Sequence, residues 1–359
     1  MLTLVDQVVK MTKTGYIEHR RLAHIPVRHQ VEHEFCFFLH DAIAAVSVST
    51  EGAGLGRIQI SPLSEDEYSF LEDCEDPIEF LIQTGRTETE KQLMMAHICR
   101  ALIPDMLHFI HGALIALEKR KFTLAFANFR KPFLEAMPIL ALMCADDKGF
   151  FEKFREDPVK FFDNSTLNRP EKRNAIAAAV GKVDTYGSLD ADIIFSSVID
   201  LKNPAGLAPL FDKAIHLVTK GSAIRTKPYN LNFIFKNPLD NDIYETSYFM
   251  ISYVLLFIHS MQIHLLKGLG FQDETYNTIM ETRAIGAFEA IYSKGRSQMV
   301  KLVNETFAGM MNCPGCKEPI KLRKRAAADF FLNEKLVCPK CGNSHTFPMT
   351  WLYSAHFKP

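Results

Sequence analysis

Residues 248–266 read Tyr-Phe-Met-Ile-Ser-Tyr-Val-Leu-Leu-Phe-Ile-His-Ser-Met-Gln-Ile-His-Leu-Leu, 19 positions without one Asp, Glu, Lys or Arg. That is about the length of a bilayer span. The stretch also holds Ser252, His259, Ser260, Gln262 and His264, each costly in lipid unless it finds a partner. A helix that is apolar on every side and still carries such groups belongs inside a protein, walled by other helices. The stretch therefore predicts the central helix of a bundle, within Tyr244–Leu266, and no membrane span.

Reading outward, the neighbouring sequence supplies the walls. Apolar residues recur at helical spacing over Lys91–Ile103, Asp105–Arg120, Phe122–Cys144, Leu207–Thr219 and Thr275–Tyr292. In Phe122–Cys144 the stripe runs Phe122, Phe126, Phe129, Phe133, Ala136 or Met137, and Leu140. Pro132 and Pro138 sit inside it, so that helix should kink or break. Loop composition falls at 163–172, 184–192, 202–206 and 236–242. The fold class is mainly α: a helical bundle over 89–310, a mixed N-terminal region over 1–88 and a small β zinc ribbon over 311–359. In the N-terminal region Val31–Val48 reads as strand or helix, the glycines at 52, 54 and 56 mark a break, and Arg57–Ile60 is strand-like. Seven carboxylates between Glu65 and Asp76, with no basic residue among them, read as a solvated loop.

Composition sets the outer limits. With 47% hydrophobic and 23% charged residues in 359, the chain is neither disordered nor a multi-span membrane protein. The net charge of −1 gives no whole-chain attraction to nucleic acid. Its distribution is uneven: residues 301–359 carry nine Lys/Arg against four Asp/Glu, a net of +5, leaving −6 on residues 1–300. The N-terminus lacks a basic segment followed by an uninterrupted apolar run, so no secretory signal is expected. Cys36, Cys74, Cys99 and Cys144 are scattered singly, as in a reducing cytoplasm.

The remaining cysteines are not scattered. Cys313-Pro-Gly-Cys316 is followed after 21 residues by Cys338-Pro-Lys-Cys341-Gly. Each pair makes a knuckle that points two thiolates at one ion, and two knuckles complete a tetrahedral shell of four thiolates suited to Zn2+. A closed shell leaves no site for water, so the metal is structural. About 50 residues cannot bury a stable core alone, and the ion substitutes for one. Strands are expected at Pro319–Leu322, Leu336-Val337 and Thr346–Tyr353. This segment resembles the zinc-ribbon family. Lys317, Lys321, Arg323, Lys324 and Arg325 cluster on and after the first knuckle, and Phe347, Trp351, Tyr353 and Phe357 follow. Basic residues beside aromatic platforms suit nucleic acid; the alternative is a solubilising hairpin with the aromatics as its core.

Candidate chemistry in the bundle centres on the long helix, where Tyr244, Tyr248, Ser252, His259 and Gln262 share one face. A polar, uncharged stripe there is a buried hydrogen-bonded network or a pocket wall with His259 as proton-transfer group. Arg130 borders the apolar stripe of its own helix and needs an acceptor, a carboxylate or a bound phosphate. His108 and His111 stand three apart, without a third metal ligand at motif spacing. Arg28 and His33 match the Arg-x4-His pattern of HEPN nucleases. With 16 Arg and 13 His, chance gives about 1.7 such pairings at gaps of four to six, so this one carries no information.

Residues 125–136 (Ala-Phe-Ala-Asn-Phe-Arg-Lys-Pro-Phe-Leu-Glu-Ala) and 244–259 resemble segments of a bacterial HEPN-like helical family. The resemblance implies a helical bundle and, in nucleolytic members, metal-independent RNA cleavage with Arg and His on one helix. Here Arg28 and His33 precede the bundle, and Arg130 and His259 lie on different helices. The sequence thus points to a cytoplasmic zinc-binding protein, a binding or adaptor protein for RNA, DNA or a protein partner. The alternatives are a HEPN-like endoribonuclease, using Arg130 with His259 or Arg28 with His33, and a homo-oligomerisation module.

Overall fold

The charge-free stretch forms the middle of a 27-residue helix, Asp242–Gly268, and the other long helices are arranged around it. The computed structural model describes residues 14–58, 60, 64–74, 76–161, 167–219, 225–228, 231–232, 241–271 and 274–356. In chain order the helices are α1 (Gln30–Gly52), α2 (Glu65–Asp73), α3 (Pro77–Gln83), α4 (Thr87–Glu118), α5 (Phe122–Arg130), α6 (Met137–Ala145), α7 (Asp147–Glu156) and α8 (Pro158–Phe161). They continue as α9 (Arg169–Val183), α10 (Ala191–Val198), α11 (Ala208–Ile215), α12 (Asp242–Gly268), α13 (Glu274–Tyr292) and α14 (Gln298–Thr306). The C-terminal part holds α15 (Lys324–Asn333), the antiparallel strands β1 (Lys335–Val337) and β2 (Ser344–Thr346), and α16 (Met349–His356). The fold is mainly α, as the periodicity predicts.

Helices α1, α6, α9, α10 and α13 pack directly on α12. In its most apolar window 89% of residues are buried. Helix α4 is also long and apolar enough to cross a membrane, yet only 44% of its window is buried. One core cluster runs from Ile17 through the bundle to Met349, so α15 and the ribbon strands share it with α12 and α13.

Local chemistry explains where the elements depart from the sequence reading. The stripe over Phe122–Cys144 is two α-helices joined by a π-helical turn, Lys131–Ala136. Pro132 cannot sit in an α-helix without meeting the carbonyl four residues back, and the wider turn gives its ring room. By contrast, Pro104 lies inside the single 32-residue helix α4 that replaces the two predicted helices, because Ile103, Met106 and Leu107 are buried on both sides of it. The acidic segment is helical and not a loop: Ser64 and Glu67 form a capping box, and Asp76 caps α3 with Pro77 behind it. Carboxylates in the first turn of α2 face the positive end of its dipole.

In the N-terminal region Val31–Val48 lies within α1, and residues 57, 58 and 60 form no strand. The expected Leu207–Thr219 helix is confined to α11. The predicted strand over Thr346–Tyr353 stops at Thr346; Pro348 ends it and α16 follows. Around Pro319–Leu322 there is only a single bridge, from Pro319 to Asn312.

Candidate metal centre and the basic groove beside it

The two knuckles are built alike. In the first, the Lys317 N–H donates to the Cys313 carbonyl; in the second, the Gly342 N–H donates to the Cys338 carbonyl. Both turns put the fourth residue after the leading cysteine in the left-handed region, Lys317 at φ 62° and Gly342 at φ 73°. Only the second uses the residue type that adopts this conformation freely. Each knuckle is closed by a further bond, Cys313 N–H to the Glu318 carbonyl in the first and Cys338 N–H to the Asn343 carbonyl in the second, and the pair of Lys340 with Glu318 ties one to the other.

The four Sγ atoms lie within 4.8 Å of one another, with Cys313 to Cys341 and Cys316 to Cys338 each at 3.6 Å. A tetrahedral zinc with sulfur at about 2.3 Å has sulfur–sulfur edges of about 3.8 Å, so the donor set fits the ion. Backbone N–H groups of Cys316 and Gly315 aimed at Cys313 pull its thiol down to about 6. The N–H groups of Cys341 and Lys340 do the same, in direction, for Cys338. Both shifts are toward the thiolate, the form that binds metal, whereas the neighbouring Cys313, Cys316 and Cys338 sulfurs push the Cys341 thiol up. Cys313 and Cys338 are buried, and Cys341 is exposed.

The metal module is seated on the bundle through α15. Arg283 of α13 donates from Nε to the Phe331 carbonyl and from Nη2 to the Leu332 carbonyl, both at 2.8 Å, capping the C-terminus of α15. Its guanidinium also lies over the Phe38 ring of α1 at 5.1 Å. At Gly286 a Cβ would stand 2.4 Å from the Phe331 ring, so α13 and α15 approach through a glycine. Of the ribbon aromatics, Phe347 is buried against Phe307 and Phe330, while Trp351 is 65% exposed. The side chain of Tyr353 and the whole of Phe357 lie outside the described residues.

Between α14 and the first knuckle runs a groove of about 890 Å³. Its walls carry Arg296, Lys301, Lys321, Arg323 and Lys324 and a single carboxylate, Glu305. Glu305 stands 3.8 Å from Lys301, and Lys324 donates to the carbonyls of Ser293 and Gly295. Arg296, Lys321 and Arg323 have no carboxylate partner among the described residues. Lys317 and Arg325 are exposed outside this groove. Arg296 and Lys301 escape a motif search because they precede the knuckle by more than a turn of helix and join it only in the fold.

The bundle residues are placed differently. His33 is fully buried; its Nδ1 is 2.9 Å from the Tyr248 hydroxyl and its Nε2 is 3.4 Å from Glu118 Oε1. A carboxylate only accepts, so Nε2 carries the proton and Tyr248 donates to Nδ1. Arg21 bonds the same Glu118 oxygen. Burial lowers the His33 pKa despite Glu118. Burial also raises Glu118, but hydrogen bonds from His33 and Arg21 hold it below its ordinary value.

Arg28 does not join His33; it pairs with Glu245 at 2.8 Å on the surface. Arg130 pairs with Glu135 at 2.7 Å, and no contact among the described residues brings it to His259. His259 has no exposure, neither ring nitrogen has a hydrogen-bond partner, and burial pushes its pKa down to about 4. The rest of its stripe is bonded: Tyr244 to the Leu117 carbonyl, Ser252 to Tyr292, and Gln262 to Ser47 and the Ile43 carbonyl. His108 and His111 lie on the exposed side of α4.

No family model, curated protein or solved structure matches the chain. The HEPN-like resemblance of residues 125–136 and 244–259 stands on those residues alone.

Proposed function

We propose that this chain is a zinc-stapled nucleic-acid-binding protein whose contact surface is the groove between α14 and the first knuckle. The observation that carries the reading is the charge of that groove, five cations to one carboxylate, in a chain whose net charge is −1. Asn304 of α14, bonded to both the N–H and the carbonyl of Leu322, holds the Lys321–Lys324 wall against α14, and the cations meet phosphates. The nuclease alternative draws no support from the geometry, because both candidate histidines are sealed and a general base must come within hydrogen-bond reach of its substrate.

The test is fluorescence anisotropy with labelled single-stranded RNA over a salt series. Wild-type protein should bind with a log–log salt slope, and Lys321→Ala with Arg323→Ala should lower that slope by about 1.4 at an unchanged zinc content. A salt-independent affinity, or an unaltered slope in the variant, would remove this groove as the contact surface. Incubation of the same RNA in EDTA should leave it intact; cleavage that disappears in His33→Ala would restore the nuclease reading.

A further inference from the structure

A second cavity, of about 840 Å³, lies between α1 and α4 and shares no residue with the basic groove. Its apolar wall is formed by Leu55, Ile103, Leu107 and Leu266. Helix α4, apolar enough to span a bilayer and with more than half of its most apolar window unburied, forms one wall of it. The surface is nevertheless no lipid-facing one, since His97, Arg100, His108 and His111 stand on the same side of the helix. A mainly apolar trough that carries one guanidinium and a few uncharged polar side chains, Ser47, Thr50 and Gln262 among them, is the kind of site that takes one small amphiphile.

One end is built around a single guanidinium. Arg100 reaches Glu51 at 2.6 Å, and Glu51 is itself 54% exposed. The glycine break supplies the room: Gly56 adopts φ +81°, and a Cβ there would stand 3.2 Å from Arg100 Nη1 and 3.5 Å from the His97 ring. The backbone turn therefore packs against the Arg100 and His97 side chains at the mouth of the trough. A carboxylate on a ligand would replace that of Glu51, which then returns to water without leaving a buried charge. The remaining titratable groups lining the trough are His40, His108, His111 and Cys99, so among the described residues Glu51 is its one carboxylate.

We propose that this trough binds a long-chain carboxylic acid of the fatty-acid class, its carboxylate on Arg100 and its chain along Ile103, Leu107 and Leu266. One head group and one guanidinium match in charge, and the trough has the volume of a single ligand of this size. The experiment is a titration of the full chain, with its metal, by the fluorescent fatty acid cis-parinarate, followed by displacement with oleate, oleyl alcohol and phosphatidylcholine vesicles. Oleate should displace the probe and oleyl alcohol should do so at least tenfold less well. Arg100→Gln should weaken binding at least tenfold, Glu51→Gln should tighten it by removing the competing carboxylate, and Ala101→Trp should abolish it by filling the trough. Circular dichroism and zinc content identify any variant that fails to fold, and Glu51→Gln, a surface change, keeps the test open if Arg100→Gln does. Equal displacement by oleyl alcohol, indifference to both Arg100→Gln and Glu51→Gln, association with vesicles alone, or no probe binding would each overturn the proposal.

Discussion

His259 shows how a single residue separates a site from a core. On sequence it is the one titratable group on an uncharged helical face, the pattern of a proton-transfer residue. In the fold it is sealed with both nitrogens unpartnered, while every other polar member of the stripe makes at least one hydrogen bond, Gln262 through its Nε2 alone. Unfolded, the ring takes its proton near pH 6.5; folded, it stays neutral down to about pH 4. Across that window the unfolded chain binds the extra proton, so stability falls as pH drops from 6.5 toward 4, by about 3 kcal/mol from this group. His33, also depressed by burial, acts in the same direction. His259→Leu should raise stability at pH 7 by about 1–2 kcal/mol, since it removes buried donors and acceptors that nothing satisfies, and should flatten the pH dependence. Urea denaturation at pH 7 and pH 5 reads both effects; a variant less stable than wild type at both would show that the ring has partners. Periodicity located the buried face but not which of its polar groups are paired, because pairing depends on His33, Tyr292 and Ser47 arriving from other helices.

At the scale of elements, the contact between α13 and α15 decides whether the metal module is an appendage or part of the bundle. Gly286 lets the Phe331 ring reach the α13 backbone, and Arg283 caps the end of α15. Gly286→Ala gains up to about 1 kcal/mol of helix propensity but forces the ring aside, and overpacking of this kind costs about 1–3 kcal/mol. The variant should therefore melt lower, with a larger loss than Gly181→Ala, where a Cβ meets nothing within 4 Å. Equal melting temperatures would mean that the two helices do not touch there. None of this was legible locally. The segment between the knuckles reads as hairpin from its strand-prone ends, whereas Lys324–Asn333 is a helix because Ala327, Ala328, Phe330 and Phe331 find a buried face on α13. Likewise Pro132 and Pro104 look equally disruptive in sequence. Only the packing around each decides that one opens a π turn and the other is absorbed.

For the whole molecule, the readable features were those whose spacing is enforced by chemistry within a few residues: the uncharged core helix and the two CxxC knuckles. Of the basic groove only the Lys321, Arg323 and Lys324 wall has a local signature, while Arg296 and Lys301 join it in the fold, and the α1–α4 trough, assembled from elements far apart in sequence, has none. A metal held by the four cysteines would link these scales, since it would order the two knuckles that flank α15, and α15 shares a core with α12 and α13. Chelation should consequently destabilise the bundle as well as the tail. The most direct measurement is metal content with zinc X-ray absorption on protein purified under reducing conditions. The account predicts one zinc per chain with four sulfur neighbours at about 2.3 Å, lost in Cys338→Ser with Cys341→Ser. Protein that is fully folded without metal, or a zinc bound through nitrogen or oxygen, would contradict it.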